Sequence, residues 1–161
     1  METRFDLAAN EFGAKFANRF ANAGAVIMRS TLPRSIQELV SLRVSQINGC
    51  GFCLDAHAKE AAAAGETAVR LNLVAAWRES SVFTEAERAA LAFAEEGTRL
   101  ADASQGVGDG TWARVREHFD DDQLAALVSQ VALINAANRL GVILRQPGGS
   151  YQVGMFDAAA N

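Results

Sequence analysis

Residues 38–57 read Glu-Leu-Val-Ser-Leu-Arg-Val-Ser-Gln-Ile-Asn-Gly-Cys-Gly-Phe-Cys-Leu-Asp-Ala-His. Leu39, Val40, Leu42, Val44 and Ile47, with Ile36 just upstream, give a broad apolar face to a helix from about Pro33–Ser35 to Ile47. Asn48-Gly49 interrupts it. The third helix of the chain opens at Cys50 or Gly51 and closes at Gly65, a residue type suited to the position just past a helix end. On that helix Cys50, Cys53 and His57, spaced three and four apart, share one face.

Outward from this pair, every further segment reads as helix and none as a convincing strand. A first helix spans about Leu7 to Arg29, with Phe5, Phe12, Phe16 and Phe20 on one face as core or subunit interface. A fourth covers Glu66 to Trp77, and Ser80-Ser81 makes a loop. Thr84 with Glu87 forms a capping box for a fifth helix running towards Leu100. The stretch Asp102–Gly110, with three glycines, reads as a flexible loop, followed by a short helix near Trp112–His118. Asp120 with Gln123 caps a long apolar helix from Asp121 to Leu144, which Pro147-Gly148-Gly149 ends. The tail 150–161 is expected to be ordered only against a partner subunit.

The bulk properties agree. The chain has 161 residues, half of them hydrophobic, which suits one packed domain. Alanine is abundant and β-branched residues are sparse, a bias towards helix. A formal net charge of -4 without a basic stripe argues against nucleic acid as partner. The absence of a long unbroken apolar run argues against a membrane span. The charged stretch Met1–Asp6 lacks the apolar core of a secretory signal, so a cytoplasmic location is expected. In that compartment two neighbouring cysteines point to catalysis or metal binding rather than to a structural staple.

Thiols three residues apart can close a local disulfide. The member nearer the helix start gains thiolate character from exposed N–H groups and the helix dipole, which favours Cys50 as nucleophile. His57 can take or return a proton at neutral pH. Glu38 fits a Ser35-x-x-Glu38 capping box and reads first as a cap. Asp55 faces away from the thiols and reads as solvated; Phe52 reads as packing and His118 as a cap or surface residue. Ser41, Ser45 and Ser129 show no nucleophile elbow, and the glycines at 106–110 form no phosphate loop. Zinc on Cys50, Cys53, His57 and Glu38 is a weaker alternative, because a second ligand pair from a separate segment is missing.

The spacing Glu38, Cys50, Cys53, His57 resembles the alkylhydroperoxidase AhpD-like branch of the carboxymuconolactone decarboxylase family. So do Trp77 with Phe83–Leu91 and the closing Asn135-Ala136-Ala137-Asn138-Arg139-Leu140. The resemblance implies an all-α AhpD-like fold of six to eight helices, one domain over 1–161 with its core at about 12–147, assembling as a homo-oligomer (trimer or hexamer). It implies a thiol-dependent peroxidase, with a hydroperoxide substrate and no bound organic cofactor or metal. Electrons would come from a dithiol reductant: a lipoyl protein, a thioredoxin-like protein or a peroxiredoxin. Cys53 would be the peroxidatic residue. Cys50 would donate a proton and close the disulfide, and Glu38 with His57 would form the proton relay. Phe52 stands where characterised mycobacterial-type members carry histidine, and the decarboxylase branch lacks the cysteine pair. A disulfide reductase, redox partner or sensor would use the same dithiol without substantial peroxidase activity.

Overall fold

The computed structural model describes residues 2–103 and 105–156. Within them lie seven α-helices, two short 3-10 helices and no strand. The α-helices are α1 (Glu11–Met28), α2 (Arg34–Asn48), α3 (Gly51–Ala63), α4 (Ala68–Leu73), α5 (Glu85–Thr98), α6 (Asp109–His118) and α7 (Asp121–Leu144). The central element is α2, buried on most of its circumference and packed by α3, α5 and α7. Val40, Val44, Phe93, Ala94, Leu127 and Ile134 fill the space between α2, α5 and α7. Leu39, Leu42, Trp77, Phe83 and Leu91 form a second cluster on its other side.

Both capping boxes read from the sequence are formed, Thr84 with Glu87 and Asp120 with Gln123. Two helices differ from expectation. The chain doubles back before α1, which starts at Glu11 with Asn10 as its N-cap rather than at Leu7. A methyl group on Gly13 would sit 2.0 Å from the Leu7 carbonyl oxygen, so only glycine permits this return. The fourth helix stops at Leu73 and continues as a 3-10 turn, Val74–Glu79, bent at Ala76. The bend sets Trp77 so that its indole N–H donates to buried Glu95, 2.9 Å away. Arg43 reaches the same carboxylate at 2.6 Å and Arg78 also pairs with it. Burial alone would raise the Glu95 carboxyl; hydrogen bonds from Arg78, Trp77 and Arg43 outweigh that and hold it below its ordinary value.

The phenylalanine stripe is not core: Phe12 is 77% exposed and Phe16 42%. By length and composition α7 could span a membrane, yet its inward face packs on α1, α2, α3 and α5. Asn138 of α7 is fully buried; it accepts from Asn48 and donates to Ser45, both at 3.0 Å. Asn135 also accepts from Asn48 at 3.0 Å. Asn135 and Asn138 of the closing motif therefore tie α7 to the end of α2.

The tail corrects one expectation. Residues 150–156 pack on α3 of the same chain, and Tyr151 is buried. Asp55, expected to be solvated, is what holds them. Its Oδ2 accepts from the backbone N–H of Gly149 at 2.7 Å and of Tyr151 at 2.9 Å, while Lys59 pairs with Oδ1 at 2.7 Å. The Lys59 hydrogen bond, then those amides, hold the Asp55 carboxyl below the usual carboxylate range. Residues 157–161 of the tail lie outside the described residues.

Candidate active site

The site is built on the turn between α2 and α3. Gly49 ends α2 in the left-handed region, φ 67°, with open space where a side chain would be, so glycine is there for conformation alone. The next residue, Cys50, is the N-cap of α3, and its Sγ accepts from the Cys53 N–H at 3.3 Å. Cys50 and Cys53 are joined as a disulfide, with Cα atoms 5.3 Å apart. The reversal lays α3 against α2, which brings residue 57 opposite residue 38. His57 Nδ1 lies 2.8 Å from Glu38 Oε2. With Nδ1 engaged by the carboxylate, Nε2 is the ring nitrogen available to the cavity that His57 lines.

Glu38 is not a cap. The N-cap of α2 is Pro33, which makes no side-chain cap bond, and the Glu38 carboxylate instead spans His57 and Arg34. The reason is burial. Glu38 is 3% exposed on the inward face of α2, where its charge needs partners that the exposed helix start would not supply.

A cavity of about 600 Å³ adjoins this cluster. Its walls are mostly apolar: Phe20, Ala21 and Gly24 of α1, Leu133, Ala137 and Leu140 of α7, and Phe52 of α3. Residues 3–8 cover one side, anchored where the Arg4 N–H donates to the Leu144 carbonyl at 2.9 Å. Phe156 of the tail covers another, its ring 5.5 Å from that of His57. Cys53, His57 and Glu38 all line the cavity, whereas Cys50 lies behind it, 1% exposed. Of the two sulfurs, Cys53 is the one a molecule in the cavity meets.

Two features were not foreseen. One is the tail, whose contacts to Asp55, Lys59 and Glu60 join residues some ninety positions apart and leave no local pattern. The other is Gly141 in α7. A methyl group there would lie 2.7 Å from Cys50 Sγ and 3.6 Å from Cys53 Sγ, so this glycine makes the room the disulfide occupies. A lone glycine inside an apolar helix, unfavourable by about 1 kcal/mol relative to alanine, was the available signal. His118 is exposed at the end of α6, as expected of a surface residue. Among the described residues no group of three His, Cys, Asp or Glu side chains is placed to hold a metal ion.

Residues 14–96 match the profile described as the carboxymuconolactone decarboxylase family. The uncharacterized protein YdfG of Bacillus subtilis is 39% identical over 116 residues, 72% of this chain and 78% of that protein. Among solved structures, a protein of unknown function from Agrobacterium tumefaciens, proposed to be the antioxidant defence protein AhpD, superposes with a TM-score of 0.84. It is 32% identical, over 93% of this chain and all of that one. The debrominase Bmp8, solved in complex with 2,3,4-tribromopyrrole, shares the fold with a TM-score of 0.73 at 17% identity, over 91% of this chain and 75% of that one.

Proposed function

This chain belongs to the carboxymuconolactone decarboxylase family, and on that footing we propose that it is a thiol-dependent peroxidase that reduces organic hydroperoxides through the Cys50–Cys53 pair. The observation that carries the proposal is the placement of Cys53, His57 and Glu38 on the wall of one largely apolar cavity, with the second sulfur directly behind.

In the reduced protein, His57 Nε2 takes the proton of the Cys53 thiol while Glu38 holds Nδ1–H and balances the imidazolium charge. The thiolate attacks the terminal oxygen of the hydroperoxide. An S–O bond forms, the O–O bond breaks, and the alkoxide leaves as alcohol with a proton from Cys50. The Cys50 thiolate then attacks Cys53: the S–S bond forms, the S–O bond breaks, and the hydroxide leaves as water with the proton that His57 Nε2 took from Cys53. Two electrons have passed from the dithiol to the peroxide, and the Cys50–Cys53 disulfide is the product such a cycle would leave. An external dithiol returns them by thiol–disulfide exchange. This order of roles follows access rather than the helix dipole, since Cys50 has the N-cap position but no cavity face.

The alternative, reduction of protein disulfides, needs a sulfur that a folded partner can reach. Cys53 is 5% exposed and Cys50 1%, which favours small or slender substrates and an electron donor that can enter the cavity, such as a lipoyl arm. The debrominase relative shows that the fold also supports other chemistry. We assign this chain to peroxide on its dithiol and relay, and to a homo-oligomer on its exposed apolar residues, including Phe12, Val26 and Ile143. Rapid mixing of reduced protein with cumene hydroperoxide, with dimedone to trap a sulfenic acid, tests the mechanism. The adduct is expected on Cys53, and it should accumulate in Cys50→Ser. Undiminished peroxide reduction by Cys53→Ser would overturn the proposal.

A further inference from the structure

The relay does not end at Glu38. Arg34 Nη2 lies 2.8 Å from Glu38 Oε1 and 3.6 Å from Glu60 Oε2, so two buried carboxylates share one guanidinium. Glu60 Oε1 in turn accepts the Tyr151 hydroxyl and the Gly154 N–H, the latter at 2.9 Å, both from the C-terminal tail. Burial, and then the Glu60 carboxylate, push the Tyr151 phenol up, so at neutral pH it is a neutral donor and adds no charge. On the outer side of α3, Asp55 and Lys59 pair with each other. Glu66 and Arg70, which line the same recess as Arg34 and Glu38, likewise pair with each other. What remains beside His57 is two carboxylates, Glu38 and Glu60, against the single guanidinium of Arg34.

We propose that Glu60 and Tyr151 are positioning residues of the relay: Glu60, acting through Arg34, supplies the charge that favours imidazolium at His57 and thiolate at Cys53, and Tyr151 locks Glu60 in place from the tail. The step is one proton transfer, in which the Cys53 S–H bond breaks and an N–H bond forms at Nε2. No further reactant is needed. Its consequence for turnover rests on the hydroperoxide reading above, but the thiolate itself is measurable without any peroxide. Arg34 is 34% exposed at its side chain, so solvent screens the coupling and the effect is moderate rather than all-or-none.

The experiment compares wild type, Glu60→Gln, Glu60→Asp and Tyr151→Phe after reduction with a small dithiol. The readings are the ultraviolet absorbance of thiolate at neutral pH and the rate of Cys53 alkylation by iodoacetamide. Glu60→Gln keeps an acceptor for Tyr151 and Gly154 but removes the charge, and should lower the alkylation rate about tenfold. Glu60→Asp should recover most of it. Tyr151→Phe, which retains the ring packed on Phe156, should lower it about threefold. A purely structural role would lower the melting temperature and leave the thiolate signal intact. Wild-type thiolate in both Glu60→Gln and Tyr151→Phe overturns the proposal. A thiolate that responds as expected in a protein unable to reduce cumene hydroperoxide supports it and sinks the peroxidase reading instead.

Discussion

Replacing Gly141 with alanine tests whether room around the sulfurs, rather than the sulfurs alone, sets activity. The new methyl group would lie 2.7 Å from Cys50 Sγ, well inside the ~3.5–4 Å at which non-bonded heavy atoms rest, so sulfur or helix must move by about 1 Å. Cys50 cannot retreat freely, because it is 1% exposed and its sulfur caps α3. Overpacking of this kind costs about 1–3 kcal/mol. Alanine returns about 1 kcal/mol of helix propensity, leaving a net loss of up to about 2 kcal/mol. At about 2–4 °C per kcal/mol for a chain of this size, the melting temperature should fall by up to about 8 °C. The kinetic effect is larger, since a displacement of about 1 Å at a reacting group can cost about a hundredfold. Gly110→Ala in α6 is the control: its methyl group meets nothing within 4 Å, so only the backbone term changes, a gain of up to about 1 kcal/mol. Calorimetry and single-turnover oxidation by cumene hydroperoxide would be run on both variants. If Gly141→Ala gains stability as Gly110→Ala does and oxidises within about threefold of wild type, a range well short of the hundredfold loss, the packing account is refuted.

Glu38→Gln keeps the side-chain shape but removes the charge facing His57. Single-turnover oxidation should slow by about 10²–10³-fold, and a loss under about threefold would remove Glu38 from the relay. Asp55→Ala leaves the Gly149 and Tyr151 amides without their acceptor; hydrogen exchange at both should accelerate, and cleavage of the tail by a protease should begin before the helices are cut. Unchanged protection would mean that other contacts hold the tail. The Glu95 carboxyl is held below its ordinary 4.5, so its contribution to stability is present above about pH 4.5 and is lost as the pH falls through the lower folded-state value. Thermal melts should show wild type losing stability on acidification and Glu95→Gln starting lower but losing less. Parallel curves would show that Glu95 is not the acid-sensitive group.

The α2–α3 hairpin was readable because its signals are local: an apolar helix, an Asn-Gly break, two cysteines and a histidine on one face. The caps at Thr84 and Asp120 were readable for the same reason, each lying within four residues. Glu38 was misread by spacing alone, since a capping box and a buried ion pair look identical until burial is known; only the distance to the cysteines, as a family pattern, pointed to chemistry. The start of α1 was misplaced because the return of the chain over Gly13 depends on a contact between backbones rather than on apolar period. The tail and Gly141 stayed hidden because their reasons lie on α3, about ninety residues away in each case.

The left-handed turn at Gly49 has a further consequence. The reacting groups occupy one short segment, residues 38–57, and need no long loop to close before they meet. Containment is different: residues 3–8 and Phe156, outside that hairpin, complete the cavity wall. Residues 3–8 are exposed, with Leu7 partly so, and such a segment tolerates replacement better than a packed hairpin does. Exchanging residues 3–8 is therefore a route to new substrate preferences that leaves both the α2–α3 hairpin and the Tyr151–Glu60 contact of the tail in place.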